Sequence, residues 1–225
     1  MKNRRIPGNE KKSLRMRVYD YITSEMDKGR FSPGSFIRLR DISEKMGVSK
    51  TPLREAMIKL ESEGFVTIYP RQGVVVNEFD LPDSRFLFEA IGAMECALIS
   101  SIFEDFTTDV ISQMRELCSS MRAAIEADDY RAYEKPHWQY HDIFLELSGN
   151  IFAERMITPI KFRLWDCPKR GFSKKWIIMA CDEHEKIVDS IEKADLKETL
   201  FYVRDRHWSF AYNEKFIRQV YFPDQ

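Results

Sequence analysis

The sequence predicts a mostly α-helical protein in two parts: a small N-terminal unit of helices with one β-hairpin, then an all-α helical bundle. Three observations lead there. Apolar residues recur at helical spacing over most of the 225 residues. Only FVTIY (65–69) and GVVVN (73–77) read as a pair of short β-branched and aromatic runs about a turn. The charge is also divided: residues 1–79 hold 16 Lys and Arg against 10 Asp and Glu, a net of +6, while the rest holds 19 against 26, a net of −7. A positive first third beside a negative remainder implies two domains with different partners, the first suited to a polyanion.

Along the chain, residues 1–12 are basic and polar and read as a disordered tail, with no apolar segment of a secretory signal, so a cytoplasmic protein is expected. Leu14, Val18, Tyr21, Ile22 and Met26 mark a first helix, ended by Gly29 and the turn Ser32-Pro33-Gly34. A short second helix carries Leu39, Ile42 and Met46 and stops at Gly47. Ser49 or Thr51 can cap a third, with Pro52 in its first turn and Leu53, Ala56, Met57 and Leu60 on its inner face. The hairpin comes next, so residues 13–78 form one domain and 79–84 a linker. Residues 85–225 read as six helices near 82–104, 107–127, 129–148, 150–166, 174–194 and 195–217, with a loop at 167–171. The most apolar stretch, 86–103, contains Glu89 and Glu95 and reads as a buried helix rather than a membrane span. Cys96, Cys118, Cys167 and Cys181 form no C-x-x-C pair and read as reduced core residues.

Helix, short helix, tight turn, helix and hairpin make a winged helix-turn-helix, in which the third helix enters the DNA major groove with its first residues at base edges and phosphates. Those residues are Ser49, Lys50, Thr51 and Arg54. The wing tip, Arg71-Gln72-Gly73, suits a minor groove or a phosphate backbone. Residues 33–76, PGSFIRLRDISEKMGVSKTPLREAMIKLESEGFVTIYPRQGVVV, resemble the DNA-binding domain of GntR-family transcription regulators. The resemblance implies that Arg40 and Arg54 contact bases or phosphates of a double-stranded operator. Lys50 stands where the family usually has Arg, which loses bidentate geometry. Gln72 widens the usual wing tip by one residue.

The four histidines are the other signal. His137 and His141 lie four apart and lead into Phe144, Leu145 and Ser148; His184 leads into Ile187, Val188 and Ile191; His207 keeps step with Leu200, Val203, Phe210 and Ala211. All four therefore fall on apolar helix faces that must turn inward. Each could be a core histidine, but every buried imidazole needs partners, and one shared metal ion satisfies a nitrogen on each.

Residues 85–217 are similar to the helical FCD effector domain of the FadR subfamily of GntR regulators, on the strength of YHDIFLELSGN (140–150), EHEKIVDSIEKAD (183–195) and RHW (206–208). That resemblance implies a divalent metal held by three histidines, matched by His141, His184 and His207, and by an aspartate whose position is His137 here. A nitrogen-rich site favours zinc, nickel or copper over manganese or magnesium. Zinc is the expected ion and nickel the other candidate. Ile91 stands where the subfamily usually has an arginine for a carboxylate effector, which leaves Arg155 and Arg163 as possible substitutes. Trp138 is a candidate for the lining of an effector pocket.

The expected function is a ligand-responsive, homodimeric DNA-binding regulator, with no membrane association. It would bind a divalent metal and a small effector, with a carboxylate as the candidate, that alters operator affinity. One alternative makes the metal itself the signal. A metal-dependent hydrolase is a third reading, but no H-E-x-x-H, G-x-S-x-G or glycine-rich phosphate loop occurs.

Overall fold

The computed structural model describes residues 13–78, 80–165 and 173–223. The expected tail, the loop at 167–171 and Phe79 lie outside the described residues. The chain forms two compact units, which divide after residue 79.

In the first unit, α1 (Leu14–Asp27) begins at Ser13, whose Oγ accepts from the Met16 N–H. α2 (Leu39–Met46) ends at Gly47, whose left-handed backbone (φ 62°) makes the tight turn into α3 (Lys50–Ser62). Ser49 holds the cap position of α3 but makes no side-chain cap hydrogen bond. The sheet has three antiparallel strands in the order β1 (Phe36–Ile37), β3 (Gly73–Val76), β2 (Val66–Tyr69). The hairpin is the one expected, and β1 adds to its far edge, pairing Phe36 with Val75. Two residues are too few to show an alternating pattern, so β1 is defined only by its partner strand. Val18, Ile22, Met57, Leu60, Val66 and Val74 fill the core between helices and sheet.

The second unit comprises α4 (Leu81–Ser101), a 3₁₀ turn (Phe103–Asp105), α5 (Thr108–Glu126), α6 (Tyr130–Ser148), α7 (Ile151–Trp165), α8 (Lys174–Glu192), α9 (Leu196–Phe201), a π-helical turn (Tyr202–His207) and α10 (Phe210–Tyr221). α4 starts inside the stretch read as linker, because the Asp80 side chain accepts from the Asp83 N–H at 2.7 Å and Pro82 lies in the first turn. α5 and α8 are tied by Arg115 to Asp189 and Glu192 and by Arg122 to Asp182 and Glu185.

The helix expected over 195–217 is broken. The Trp208 N–H donates to the Val203 carbonyl five residues back at 2.9 Å, and Ser209 caps the start of α10. The wide turn inserts one extra residue, which rotates the residues beyond it by about 100° relative to a regular helix. Adjacent His207 and Trp208 are both buried as a result.

Gly92 on α4 lets Trp208 approach: a Cβ there would lie 2.8 Å from the Trp208 Cβ. Gly92→Ala should destabilise by about 1–3 kcal/mol and lower the melting temperature by roughly 2–4 °C for each kcal/mol. An unchanged thermal melt would contradict this packing.

Candidate metal centre

The four histidines come together at the centre of the second unit. α6 supplies His137 and His141 one turn apart, α8 supplies His184, and the π-helical turn supplies His207. All are between 0% and 7% exposed. One ligand atom from each lies within 4.8 Å of the others. His141 Nε2 is 3.1 Å from His184 Nε2 and 3.2 Å from His207 Nε2. Nitrogens at about 2.0–2.1 Å from zinc are separated by about 2.8–3.0 Å in an octahedral and about 3.3–3.4 Å in a tetrahedral arrangement, so these spacings lie within the range of one shared ion.

Two buried carboxylates orient the rings. His141 Nδ1 lies 3.0 Å from Glu95, which also accepts from Trp208 Nε1 at 2.7 Å. His207 Nδ1 lies 3.1 Å from Glu183 Oε2. Tyr140 donates its hydroxyl to the His184 carbonyl at 3.1 Å, which holds α6 against α8 at the histidine level. Carboxylates behind the Nδ1 atoms turn the Nε2 atoms toward the shared centre, the arrangement by which proteins commonly prepare imidazoles for a metal.

These partners decide the tautomers. With Glu183 as a carboxylate, His207 carries its proton on Nδ1 and presents a bare lone pair on Nε2. Burial raises Glu95 to about 7, against the pull of Lys161 and the Trp208 hydrogen bond. As a carboxylate, Glu95 leaves His141 Nε2 bare as well, so two lone pairs face each other at 3.2 Å and repel. As an acid, it lets one proton bridge one nitrogen pair, yet three Nε2 atoms converge there. Adding charge to the rings is no remedy, since burial holds His141 and His184 well below the usual imidazole range. A divalent cation satisfies the converging nitrogens at once and balances the two carboxylates. His184 Nδ1 is a buried atom with no hydrogen-bond partner, so the support behind that ring is weaker.

Of the residues proposed for an effector, only Trp138 reaches the cluster. Its ring lies edge-on to His137, 4.9 Å between centroids. Arg163 instead pairs with Asp83 at 2.8 Å, and Arg155 lies over the Phe152 ring. Ile91 is fully buried. The cation beside the histidines is Lys161, which sequence reasoning does not pick out. Its side chain is 9% exposed, its ammonium lies 2.5 Å from Asp142 and 5.1 Å from the Trp138 ring centroid, and its charge acts on both Glu95 and His141. The available signal is its spacing with Ile157 and Leu164, two buried residues of α7. Glu183, next to His184 in the sequence, and Glu95, a carboxylate inside an apolar run, carry equally legible signals that the sequence reading passes over. Burial pushes the Cys118 and Cys181 thiols up to about 12, and both cysteines are free, as inert core residues should be.

In the first unit, Ser49, Lys50, Thr51 and Arg54 are exposed at the start of α3, and Arg71 and Gln72 are exposed at the wing tip. Arg71 adopts a left-handed backbone (φ 66°) that forms the turn before Gly73. Arg40 is exposed and pairs with Glu44 at 2.7 Å.

Comparison with known proteins gives concordant findings. The family description "Bacterial regulatory proteins, gntR family" matches residues 14–76, and the FCD domain matches residues 87–199, half of the chain. The HTH-type transcriptional repressor RspR of Escherichia coli (strain K12) is 24% identical over 156 residues, 68% of this chain and 67% of that protein. An HTH-type transcriptional regulator from Agrobacterium vitis is 27% identical over 135 residues, 59% of this chain and 79% of that protein. Among solved structures, E. coli McbR/YncC superposes with a TM-score of 0.71 at 17% identity, covering 92% of this chain and 98% of that one, a likeness of fold.

Proposed function

The chain belongs to the GntR family of bacterial transcription regulators with an FCD domain, and from that premise we propose that its helical bundle holds one divalent metal ion beside an effector site that sets operator affinity. The family is one of DNA-binding regulators and not of enzymes, which removes the hydrolase reading.

One observation carries the metal assignment: the Nε2 atoms of His184 and His207 lie 3.1 and 3.2 Å from that of His141, while two of the rings are held from behind by Glu95 and Glu183. His141, His184 and His207 would hold the ion, with His137 as the fourth imidazole. The all-nitrogen set favours zinc, with nickel second. Bound there, the ion supplies positive charge and a fixed geometry that ties α6, α8 and the π-helical turn together. The near-complete burial of all four rings favours a retained ion with a separate effector over a fast-exchanging metal signal.

The effector in this reading is a small anion, a carboxylate in the simplest case. Lys161 would meet its charge and Trp138 would pack against its body. In a thermal-shift panel of small mono- and dicarboxylates, those that stabilise the wild type should lose their effect on Lys161→Met, while metal content stays the same. Equal shifts in both proteins would remove Lys161 from this role.

On the DNA side, Ser49, Lys50, Thr51 and Arg54 would enter the major groove, with Arg40 and the wing residues Arg71, Gln72 and Gly73 on the backbone or minor groove. A homodimer would match a two-fold operator, and the exposed Ile151, Phe152 and Met156 of α7 offer an apolar face that a partner could cover. Among the described residues no helix is long and apolar enough to cross a membrane. A regulator of this kind would work in the cytoplasm, where the DNA is. The test is a binding titration on the DNA flanking its own gene against a random duplex. The specific site should bind about 10³-fold or more tightly, and the affinity should fall as salt rises. Equal affinities would defeat the reading.

A further inference from the structure

We infer that Asn213 on α10 is a positioning residue that sets the angle at which His207 is presented to the metal; the inference rests on the metal reading above.

Asn213 is 1% exposed. Its Nδ2 donates to three backbone carbonyls where the π-helical turn passes into α10: Arg206 at 2.9 Å, His207 at 3.1 Å and the α10 cap residue Ser209 at 2.9 Å. Two N–H bonds cover three acceptors, so one is shared. Its Oδ1 accepts from Trp176 Nε1 at 2.7 Å, and Trp176 stacks on Phe216. Trp176 lies on α8, the helix that also carries Glu183 and His184. One buried amide therefore links the helix carrying His184 to the turn carrying His207.

The turn needs such a clamp. The π-helical turn breaks the regular hydrogen-bond ladder at its end: the Arg206 carbonyl accepts from the Ser209 N–H at 3.2 Å and the Ser209 carbonyl from the Asn213 N–H at 3.1 Å, while the His207 carbonyl takes the Asn213 side-chain amide at 3.1 Å. Asn213 meets them with geometry that a water or a smaller side chain would not impose. Within this turn His207 must place Nε2 3.2 Å from His141 Nε2 while its Nδ1 reaches Glu183 at 3.1 Å. A ring fixed from both sides tolerates little rotation of its backbone. The amide thus acts on the metal through His207 and does not touch the ion.

Two substitutions separate positioning from plain stability. Asn213→Ala removes the donors to the turn. Trp176→Phe keeps the ring on Phe216 and removes only the bond to Asn213 Oδ1, leaving the clamp on the turn in place. Full-length proteins are stripped of metal and titrated with zinc against a chromophoric chelator, and with cobalt to read the visible absorption of the site. Asn213→Ala should bind zinc about 10–100-fold more weakly, the range expected when the support of a ligand is lost, with an altered cobalt spectrum. Trp176→Phe should melt lower yet keep wild-type zinc affinity and cobalt spectrum. Wild-type zinc affinity and spectrum in a folded Asn213→Ala would overturn the inference, as would an equal loss in both variants. If Asn213→Ala does not fold, Asn213→Ser, which keeps one donor, decides. Weakened zinc binding with native circular dichroism supports the positioning role; wild-type binding with a lowered melting temperature overturns it. A wild-type protein that binds neither zinc nor cobalt is a different result: it defeats the metal reading itself.

Discussion

His141→Ala should strip the metal from the bundle and lower the melting temperature of the second unit, while the winged helix keeps its hold on non-specific DNA. His141 is the hub of the cluster, because its Nε2 is the atom that both His184 and His207 approach. Its loss removes one ligand and the contact with Glu95, so the fall in affinity should exceed the roughly 10–100-fold typical of outer-shell changes. An ion present at a hundred times its dissociation constant stabilises the folded state by about 2.7 kcal/mol, or roughly 5–11 °C in a chain of this size. That margin should be missing from the variant, and chelation should change its melt little. Differential scanning calorimetry with and without chelator reads both effects. Full metal occupancy in His141→Ala would remove the residue from the ligand set.

Arg54→Ala should have the largest effect on the operator. The side chain is exposed on the first turns of α3, the helix that docks in the major groove in this fold. A bidentate arginine–guanine contact is worth about 1–3 kcal/mol, so specific binding should weaken about 5–150-fold. Lys50→Ala should behave differently: as a phosphate contact it should weaken all sequences alike and reduce the salt dependence by about one unit of slope. Fluorescence anisotropy at several salt concentrations separates the two. Loss of specificity in Lys50→Ala with none in Arg54→Ala would reverse the assignments.

The helical periods, the hairpin and the inward faces of all four histidines are legible in the sequence, because these depend on spacing along a single element. Features that depend on pairing between elements are not. β1 is two residues long and exists through β3. The break at 202–209 is invisible in the apolar pattern, since Leu200, Val203, His207 and Phe210 keep step as a continuous helix would. The break is set by hydrogen bonds from Trp208, Ser209 and Asn213 that no period reports. The same holds for charge. Arg155 and Arg163 stand out in the sequence as cations on a helix, yet their partners are the Phe152 ring and Asp83. Lys161, one turn after the buried Ile157, is the cation that faces the cluster. Glu95 and Glu183 are in plain view, but a carboxylate on an inner face declares its role only when the nitrogen it supports is placed beside it.

The central claim is that this bundle is built around one metal ion, and elemental analysis with native mass spectrometry of the purified wild-type protein tests it most directly. One divalent ion per chain is expected, zinc or nickel, released only on prolonged chelation, with a fall in melting temperature. A wild-type protein that is fully folded, carries no metal and gains no stability when zinc or nickel is added would contradict it.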